Sequence, residues 1–327
     1  MIDRKFSLNR VLSPLDIGQA DVARVQAGIS WNLARPCNAL LDCLYVNPFY
    51  DTYAGYGPYL DGIAYADVIN SIKPNELIEE DKKKLRALLQ EADIPLGNPH
   101  VTLECDVGSV FQLVKDWIGI RPRESRSDNL IVITKSHSSG FSDFILGSLA
   151  TRIVRSSEIP CLVLPEKRVK PSWQPKSVLI AYSLDNPNIV HQPMISLLPI
   201  IGCEEIKLLH AFKRESVLEA ASERKNPGQK TDEVMYSLIE DNIRRKLEAA
   251  VESLPLGFAE RDLLLKQGRP EEVIYTACAA SPSDSTLLVV GRSAPATELS
   301  YLGSTLQHIV SAAEVPVLVL PYRDSFS

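Results

Sequence analysis

Residues 127–165 read SDNLIVITKSHSSGFSDFILGSLATRIVRSSEIPCLVLP, and residues 283–321 read SDSTLLVVGRSAPATELSYLGSTLQHIVSAAEVPVLVLP. Aligned without a gap at an offset of 156 positions (283 − 127), the two stretches share Ser-Asp, Leu-Gly-Ser, Ile-Val and a closing Leu-Val-Leu-Pro. A match of this length indicates an internal duplication, which has to be recognised before the fold can be interpreted. Each half of the chain has roughly 160 residues, the usual size of one domain. We therefore predict that the chain contains the same domain twice.

A charged stretch with two prolines, EKRVKPSWQPK at residues 166–176, separates the two halves. Proline restricts the backbone, so such a stretch is typical of a short, semi-rigid linker. We predict a first domain at residues 1–166, a linker at residues 167–176 and a second domain at residues 177–327.

The composition is that of an ordinary globular protein, with 45% hydrophobic and 23% charged residues. A net charge of −6 argues against nucleic acid as a partner, because DNA and RNA binding needs a basic surface. The N-terminal residues contain no continuous apolar segment of a secretory signal, and the apolar runs are too short to span a membrane. The six cysteines show neither a CxxC pair nor the spacing of a metal site. We expect a cytoplasmic protein with reduced thiols and no bound metal ion.

Short apolar strands alternate with longer helical patterns in both halves. This alternation predicts βαβ units, and the nearly continuous apolar strands are typical of a parallel sheet covered by helices on both faces. We predict an α/β fold with two tandem, doubly wound, open parallel sheets. The predicted strands are Arg10–Pro14, Leu40–Val46, Val101–Val107, Asn129–Thr134 and Cys161–Leu164 in the first half, and Val178–Tyr182, Ile206–His210, Asp262–Lys266, Thr286–Val290 and Val317–Leu320 in the second.

A ligand of such a fold binds beyond the carboxyl ends of the strands, where helix N-termini offer free amides. Asp16 follows the first predicted strand directly. The loops at residues 135–148 and 291–304 lead from the fourth strand of each half into its last helix, and each ends in Gly-Ser. Glycine lets an anion approach the backbone, and serine can bond the anion or cap the helix.

These features together resemble the universal stress protein (UspA) family, and the resemblance extends over nearly the whole chain. The matching residues are Pro14-Leu15-Asp16, Gly268 with Pro270 and Ile274, Gly291, Leu302-Gly303-Ser304, and the Ile159–Val163 and Val315–Val319 segments. The resemblance implies a Rossmann-like fold of the universal-stress/HUP type. It also implies a pseudo-twofold pair of domains inside one chain, with Cys161–Leu164 beside Val317–Leu320, and leaves a further homodimer open.

Nucleotide-binding members of the family hold ATP, with Mg²⁺, between an Asp after strand one, a small residue on strand two and a Gly-x2-Gly-x9-Gly-Ser/Thr loop. The positions implied here are Asp16, Val46, Lys135, Ser138, Gly147 and Ser148 in the first half, and Ser183, Ala211, Gly291, Ala294, Gly303 and Ser304 in the second. Both halves depart from the pattern. Lys135 and Ser138 replace two glycines in the first half, Ser183 replaces Asp and Ala294 replaces Gly in the second, and both loops are one residue short.

Structural roles compete with binding at several of these positions. Each Gly-Ser pair could simply start a helix, and Asp16 could form a turn by bonding its own backbone. A tyrosine-rich stretch at residues 45–65 predicts a long loop beside the ligand end of the first half. This loop could be a lid, the wall of an apolar site or a contact with the second half.

The resemblance implies a non-enzymatic stress-response sensor or adaptor, with ATP or another adenine nucleotide as a regulatory ligand and with no catalytic residues. Two alternatives stay open at this point. One is a binder of a lipid-like or other apolar small molecule that uses the tyrosine-rich loop, and the other is a slow ATPase.

Overall fold

The computed structural model describes residues 7–47, 74–135, 148–166, 169–184, 187–212, 229–254, 258–282, 284–292 and 303–322. Among these residues, ten strands and eight α-helices alternate along the chain. No helix in this part of the chain combines the length and the hydrophobicity needed to cross a membrane. Most of the tyrosine-rich stretch at residues 45–65 lies outside the described residues.

The strands coincide closely with those predicted from the apolar runs. They are β1 (Arg10–Pro14), β2 (Leu40–Asn47), β3 (Val101–Val107), β4 (Asn129–Thr134), β5 (Cys161–Leu164), β6 (Ser177–Ala181), β7 (Glu205–Phe212), β8 (Glu260–Gln267), β9 (Thr286–Gly291) and β10 (Val317–Leu320). They form one sheet in the order β3-β2-β1-β4-β5-β10-β9-β6-β7-β8. The order is that of two doubly wound parallel sheets, each of five strands, joined edge to edge. This arrangement confirms the predicted α/β fold.

Helices cover both faces of the sheet, as a buried parallel sheet requires. They are α1 (Ala20–Ala34), α2 (Pro74–Glu91), α3 (Val110–Gly119), α4 (Ser148–Ser156), α5 (Pro193–Leu197), α6 (Gln229–Glu252), α7 (Pro270–Ala279) and α8 (Ser304–Ala312). Helices α1, α2, α5 and α6 contribute to one apolar core, and α3, α4, α7 and α8 contribute to the other. Strand residues alternate between the two cores, as Val11 and Leu12 do in β1.

The two halves meet at an antiparallel pair of short strands, β5 and β10. Leu162 lies opposite Leu318 at the centre of the pair, with Val163 opposite Val317. All four residues of each strand are buried. The pairing of Cys161–Leu164 with Val317–Leu320, which the family resemblance implies, is therefore present within one chain.

The structural repeat differs by one residue from the gapless sequence alignment at β4 and β9. Strand β4 begins opposite β1 at Asn129, and β9 begins opposite β6 at Thr286, so these strands are related by an offset of 157 (286 − 129). The closing strands β5 and β10 keep the offset of 156 (317 − 161). A one-residue shift exchanges the two faces of a strand. At the correct offset, Ile131 and Leu288 face the same core.

The segment between the halves packs against the first half. Trp173 is buried in the core, and the Asn32 side-chain amide donates a hydrogen bond of 2.9 Å to the carbonyl of Pro171. A Cβ added at Gly28 would lie 2.9 Å from Cβ of Pro171, so only glycine fits at position 28 of α1 without movement of the linker.

We expect Leu318→Ala to lower the free energy of unfolding by about 2–5 kcal/mol, since it removes a buried side chain from the seam between the halves. Leu238→Ala on α6 is the matched control, because Leu238 is 58% exposed. The control should change stability by less than about 0.5 kcal/mol. Urea unfolding measures both variants, and equal losses would contradict a central packing role for the seam.

Candidate functional site

A cavity of about 440 Å³ opens at the carboxyl ends of β1, β2 and β4. This is the point where the strand order reverses. The chain adds β2 and β3 on one side of β1, and it then adds β4 and β5 on the other side. We call this cavity the first cavity. It is lined by Pro14, Leu15, Asp16, Gly18, Gln19, Val22, Ala23, Gln26, Leu44, Tyr45, Val46, Val110, Ile133, Thr134, Leu149 and Ala150.

Asp16 is exposed at the cavity and already holds a turn together. One carboxylate oxygen accepts a 3.0 Å hydrogen bond from the backbone N–H of Gly18, and the other accepts a 2.9 Å bond from Gln19 Nε2. The turn-forming role considered for Asp16 is therefore real. A carboxylate has about four acceptor positions, so these two bonds leave capacity for a ligand hydroxyl.

Gln26 is a buried cavity residue that the sequence pattern did not identify. Its side-chain Nε2 donates to the carbonyl of Pro14 at 2.6 Å and to that of Val132 at 2.9 Å, and its Oε1 accepts from the Thr134 hydroxyl at 2.9 Å. The paired register of β1 and β4 ends at Leu12. Gln26 thus satisfies carbonyls where the two strands separate, and this separation opens the cavity.

Tyr45 lines the first cavity and is partly buried. Burial is the main cause that raises its pKa to about 12, with a smaller effect of Asp81 and Asp16. Its phenol therefore stays protonated at neutral pH and can donate a hydrogen bond.

The second half carries an equivalent cavity of about 370 Å³, which we call the second cavity. It brings together five of the six positions implied for this half, namely Ser183, Ala211, Gly291, Gly303 and Ser304. Ala294 lies outside the described residues. Gly303 has a φ of +79° immediately before α8, a conformation that disfavours a side chain. The second cavity therefore retains the glycine that the helix start requires.

His210 is a second residue that the sequence pattern did not identify. It is buried, lines the second cavity, and its Nδ1 lies 2.9 Å from the carbonyl oxygen of Tyr182. Because a carbonyl oxygen can only accept, Nδ1 carries the hydrogen of this bond. The register of β2 and β7 places His210 where the first half has Tyr45.

Lys135 does not occupy the first glycine position of the loop, because the correct register assigns that position to Thr134. Thr134 and Gly291 line the two cavities at equivalent points. The Lys135 side chain extends to the second half, and its Nζ donates to the carbonyl oxygen of Ser311 at 2.9 Å. Burial lowers the pKa of Lys135 to about 8, partly opposed by Glu314.

The register also changes the expected loop length of the first half. Thr134 precedes Gly147 by 13 positions (147 − 134), the spacing of the family's Gly-x2-Gly-x9-Gly pattern, and His137 takes the middle position instead of Ser138. Residues 136–147 lie outside the described residues, whereas Ser148 begins α4. The second loop stays one residue short, since Gly291 and Gly303 are 12 positions apart (303 − 291).

Comparisons with known proteins agree with this architecture. Residues 9–165 match the model of the Universal stress protein family. A curated relative from Thermus aquaticus, named universal stress protein in QAH/OAS sulfhydrylase 3′ region, is 38% identical over 87 residues. That match covers 25% of this chain and 62% of the relative, so the chain spans less than two thirds of the relative's length.

Two solved structures share the fold along nearly the whole chain. A universal stress protein from Archaeoglobus fulgidus aligns over 98% of each chain with a TM-score of 0.55 and 16% identity. A functionally unknown protein from Pseudomonas aeruginosa aligns over 96% of this chain and 93% of its own length, with a TM-score of 0.51 and 14% identity. At these identities the similarity shows the fold alone.

We expect Gln26→Leu to lower the free energy of unfolding by about 1–3 kcal/mol, because it leaves buried carbonyls of β1 and β4 without a donor. Gln112→Leu is the control, since Gln112 bonds Asp116 at the exposed surface of α3. The control should change stability by less than about 0.5 kcal/mol. Thermal or urea unfolding measures the difference, and an unchanged stability of Gln26→Leu would contradict the role of Gln26 as a necessary donor to these carbonyls.

Proposed function

Because residues 9–165 match the universal stress protein family, we propose that this chain is a universal stress protein, a stress-response protein that binds an adenine nucleotide as a regulatory ligand. The nucleotide occupies the first cavity, beside Asp16. It acts as a signal whose presence changes what the protein contacts, and it is not consumed as a substrate.

The position of the first cavity carries the proposal. It lies at the switch point of a doubly wound parallel sheet, where such folds bind their ligands. Its volume of about 440 Å³ is within the range of small-molecule sites, about 300–1,000 Å³. The first turn of α4 contributes Leu149 and Ala150 to its wall. The free backbone amides and the positive end of the helix dipole therefore lie beside the cavity, where they suit the phosphates of a nucleotide.

Each part of a nucleotide has a chemically suitable partner in this cavity. The Asp16 carboxylate accepts hydrogen bonds and suits the hydroxyls of a ribose. Val46 and Val110 line the cavity with apolar surface, which suits the faces of an adenine ring. The start of α4 suits the phosphates, which Mg²⁺ would accompany. The loop spacing from Thr134 to Gly147 further supports nucleotide binding in this half.

The chemistry of Asp16 favours binding over catalysis. Its two carboxylate oxygens already accept hydrogen bonds from Gly18 and Gln19, which hold the carboxylate in place as an acceptor for ligand hydroxyls. We therefore propose that any phosphate release is slow and incidental to a sensor or adaptor role.

A specific observation favours one alternative ligand, an apolar small molecule. Most of the side chains that line the first cavity are apolar, including Leu15, Val22, Leu44, Ile133 and Leu149. Apolar walls with a few polar groups are common to nucleotide and lipid sites. Mass spectrometry of small molecules released from the purified protein distinguishes an adenine nucleotide from an acyl chain.

We expect the purified chain to bind one MgATP, and Asp16→Asn to weaken that binding about tenfold, since a charged acceptor of hydrogen bonds is lost. Asn keeps an acceptor for the Gly18 amide, so the turn should persist. The matched control is Ser183→Ala at the equivalent position of the second half, which should leave the affinity unchanged within about twofold. Isothermal titration calorimetry measures the affinities, and native mass spectrometry measures the stoichiometry.

The opposite pattern, in which Ser183→Ala binds MgATP more weakly and Asp16→Asn binds it with unchanged affinity, would place the nucleotide in the second cavity. No uptake of MgATP at millimolar concentration would refute the nucleotide proposal. Extraction of an acyl-containing molecule from the same preparation would then support the apolar ligand.

A further inference from the structure

The cation that follows β4 contacts the end of a helix in the other half of the chain. Lys135 is 7% exposed. Its Nζ donates to the carbonyl oxygens of Ala313 at 2.5 Å and Ser311 at 2.9 Å, and lies 3.5 Å from that of Val310. These carbonyls belong to the last turn of α8 and the residue that follows it. Lys135 therefore caps the C-terminal end of α8.

The cation that follows β9 makes the reciprocal contact. Arg292 is 3% exposed. Its Nη1 donates to the carbonyl oxygen of Ser157 at 3.1 Å and to that of Val154 at 3.3 Å. Both carbonyls lie at the C-terminal end of α4. Lys135 and Arg292 are equivalent in the repeat, since their backbone amides bond Leu164 and Leu320 respectively.

These contacts have a clear physical basis and a cost. The last carbonyls of a helix lack intrahelical donors, and the C-terminal end of a helix carries a partial negative charge, so a cation there is favourable. Removing a cation from water is unfavourable unless it is well bonded. Burial correspondingly lowers the pKa of both side chains. Each buried cation is therefore favourable only because the end of a helix in the other half bonds it.

The strands β4 and β9 and the helices α4 and α8, which these contacts join, also contribute to the two cavities. Thr134, beside Lys135, lines the first cavity, and Gly291, beside Arg292, lines the second. Helix α4 begins at the first cavity and ends at Arg292, whereas α8 begins at the second cavity and ends at Lys135. Each helix has nine residues, about 14 Å at 1.5 Å per residue. Each of these short helices thus links one cavity to the cation beside the other cavity.

We propose that Lys135 and Arg292 are positioning residues that couple the two cavities. Each joins the strand end beside one cavity to the helix whose first turn forms the other. A ligand in the first cavity that holds the end of β4 therefore stabilises α8 and the wall of the second cavity, and the reverse path runs through Arg292 and α4. Such coupling is reciprocal by thermodynamic necessity. The choice of MgATP as the ligand that detects this coupling rests on the proposed function, whereas the helix contacts of Lys135 and Arg292 do not.

Hydrogen–deuterium exchange of the full chain without ligand tests the contacts first. We expect Lys135→Met to speed exchange in α8 about tenfold, because a charge-assisted set of hydrogen bonds at its end is lost. Arg292→Met should do the same in α4. Lys170→Met is the matched control at an exposed lysine between the halves, and it should leave both helices unchanged. If α8 exchanges at the same rate in Lys135→Met and in the control, the proposal is wrong.

Addition of MgATP then separates coupling from a merely structural role. In the wild-type chain, saturation of the first cavity should slow exchange in α8 as well as in the first turn of α4. In Lys135→Met the slowing in α8 should disappear while that in α4 persists. Arg292→Met should weaken MgATP binding several-fold although Arg292 lies at the far end of α4 from the cavity, and Arg292→Lys should restore part of it.

The outcomes distinguish the two proposals. A wild-type chain that takes up no MgATP refutes the nucleotide, and the ligand-free exchange still decides the contacts. If MgATP still slows hydrogen exchange in α8 of Lys135→Met, the proposed coupling through Lys135 is wrong, whereas the nucleotide proposal stands. If Lys135→Met does not fold, Lys135→Gln replaces it, because the amide can still donate to the helix end but carries no charge.

Discussion

The rest of the structure depends on the pairing of β5 with β10. An edge strand exposes unpaired backbone groups, and each half would end in such an edge without the other. The antiparallel pair removes both edges at once and places two fully buried strands at the centre of one ten-stranded sheet. It also sets α4 and α8 close enough for Lys135 to reach Ser311 and for Arg292 to reach Ser157. The seam therefore creates both the core and the contacts between the cavities.

Buried polar groups determine the details around the cavities. Parallel strands that separate leave carbonyls without ladder partners, and buried carbonyls need donors. Gln26 supplies a donor at the crevice between β1 and β4, and His210 supplies one to Tyr182 in the second half. Both side chains line a cavity. The site is therefore shaped by residues that first satisfy the fold.

The two halves share a fold but have different chemistry. Asp42 of β2 is buried and bonds Arg10, Thr102 and the Trp117 indole, whereas the register places Lys207 at the equivalent point of β7. The cavities differ in the same way, since an acidic residue and a phenol in the first correspond to a hydroxyl and an imidazole in the second. Both halves contribute apolar residues to the two cores, whereas their polar positions differ. This divergence is why the proposed ligand is assigned to one half.

The sequence by itself determined the duplication, the α/β class, all ten strands and the location of both cavities, because apolar periodicity and turn residues are local signals. The sequence did not reveal the one-residue shift between β4 and β9, because neighbouring apolar residues fit either face of a strand until pairing with another strand fixes the register. Only the tertiary structure decided that Thr134 rather than Lys135 faces the first cavity. Only the structure showed that Lys135 and Arg292 cap helices of the opposite half. A helix end 135 or more positions away along the chain leaves no local pattern, and its carbonyls attract a cation only after the two halves have packed together.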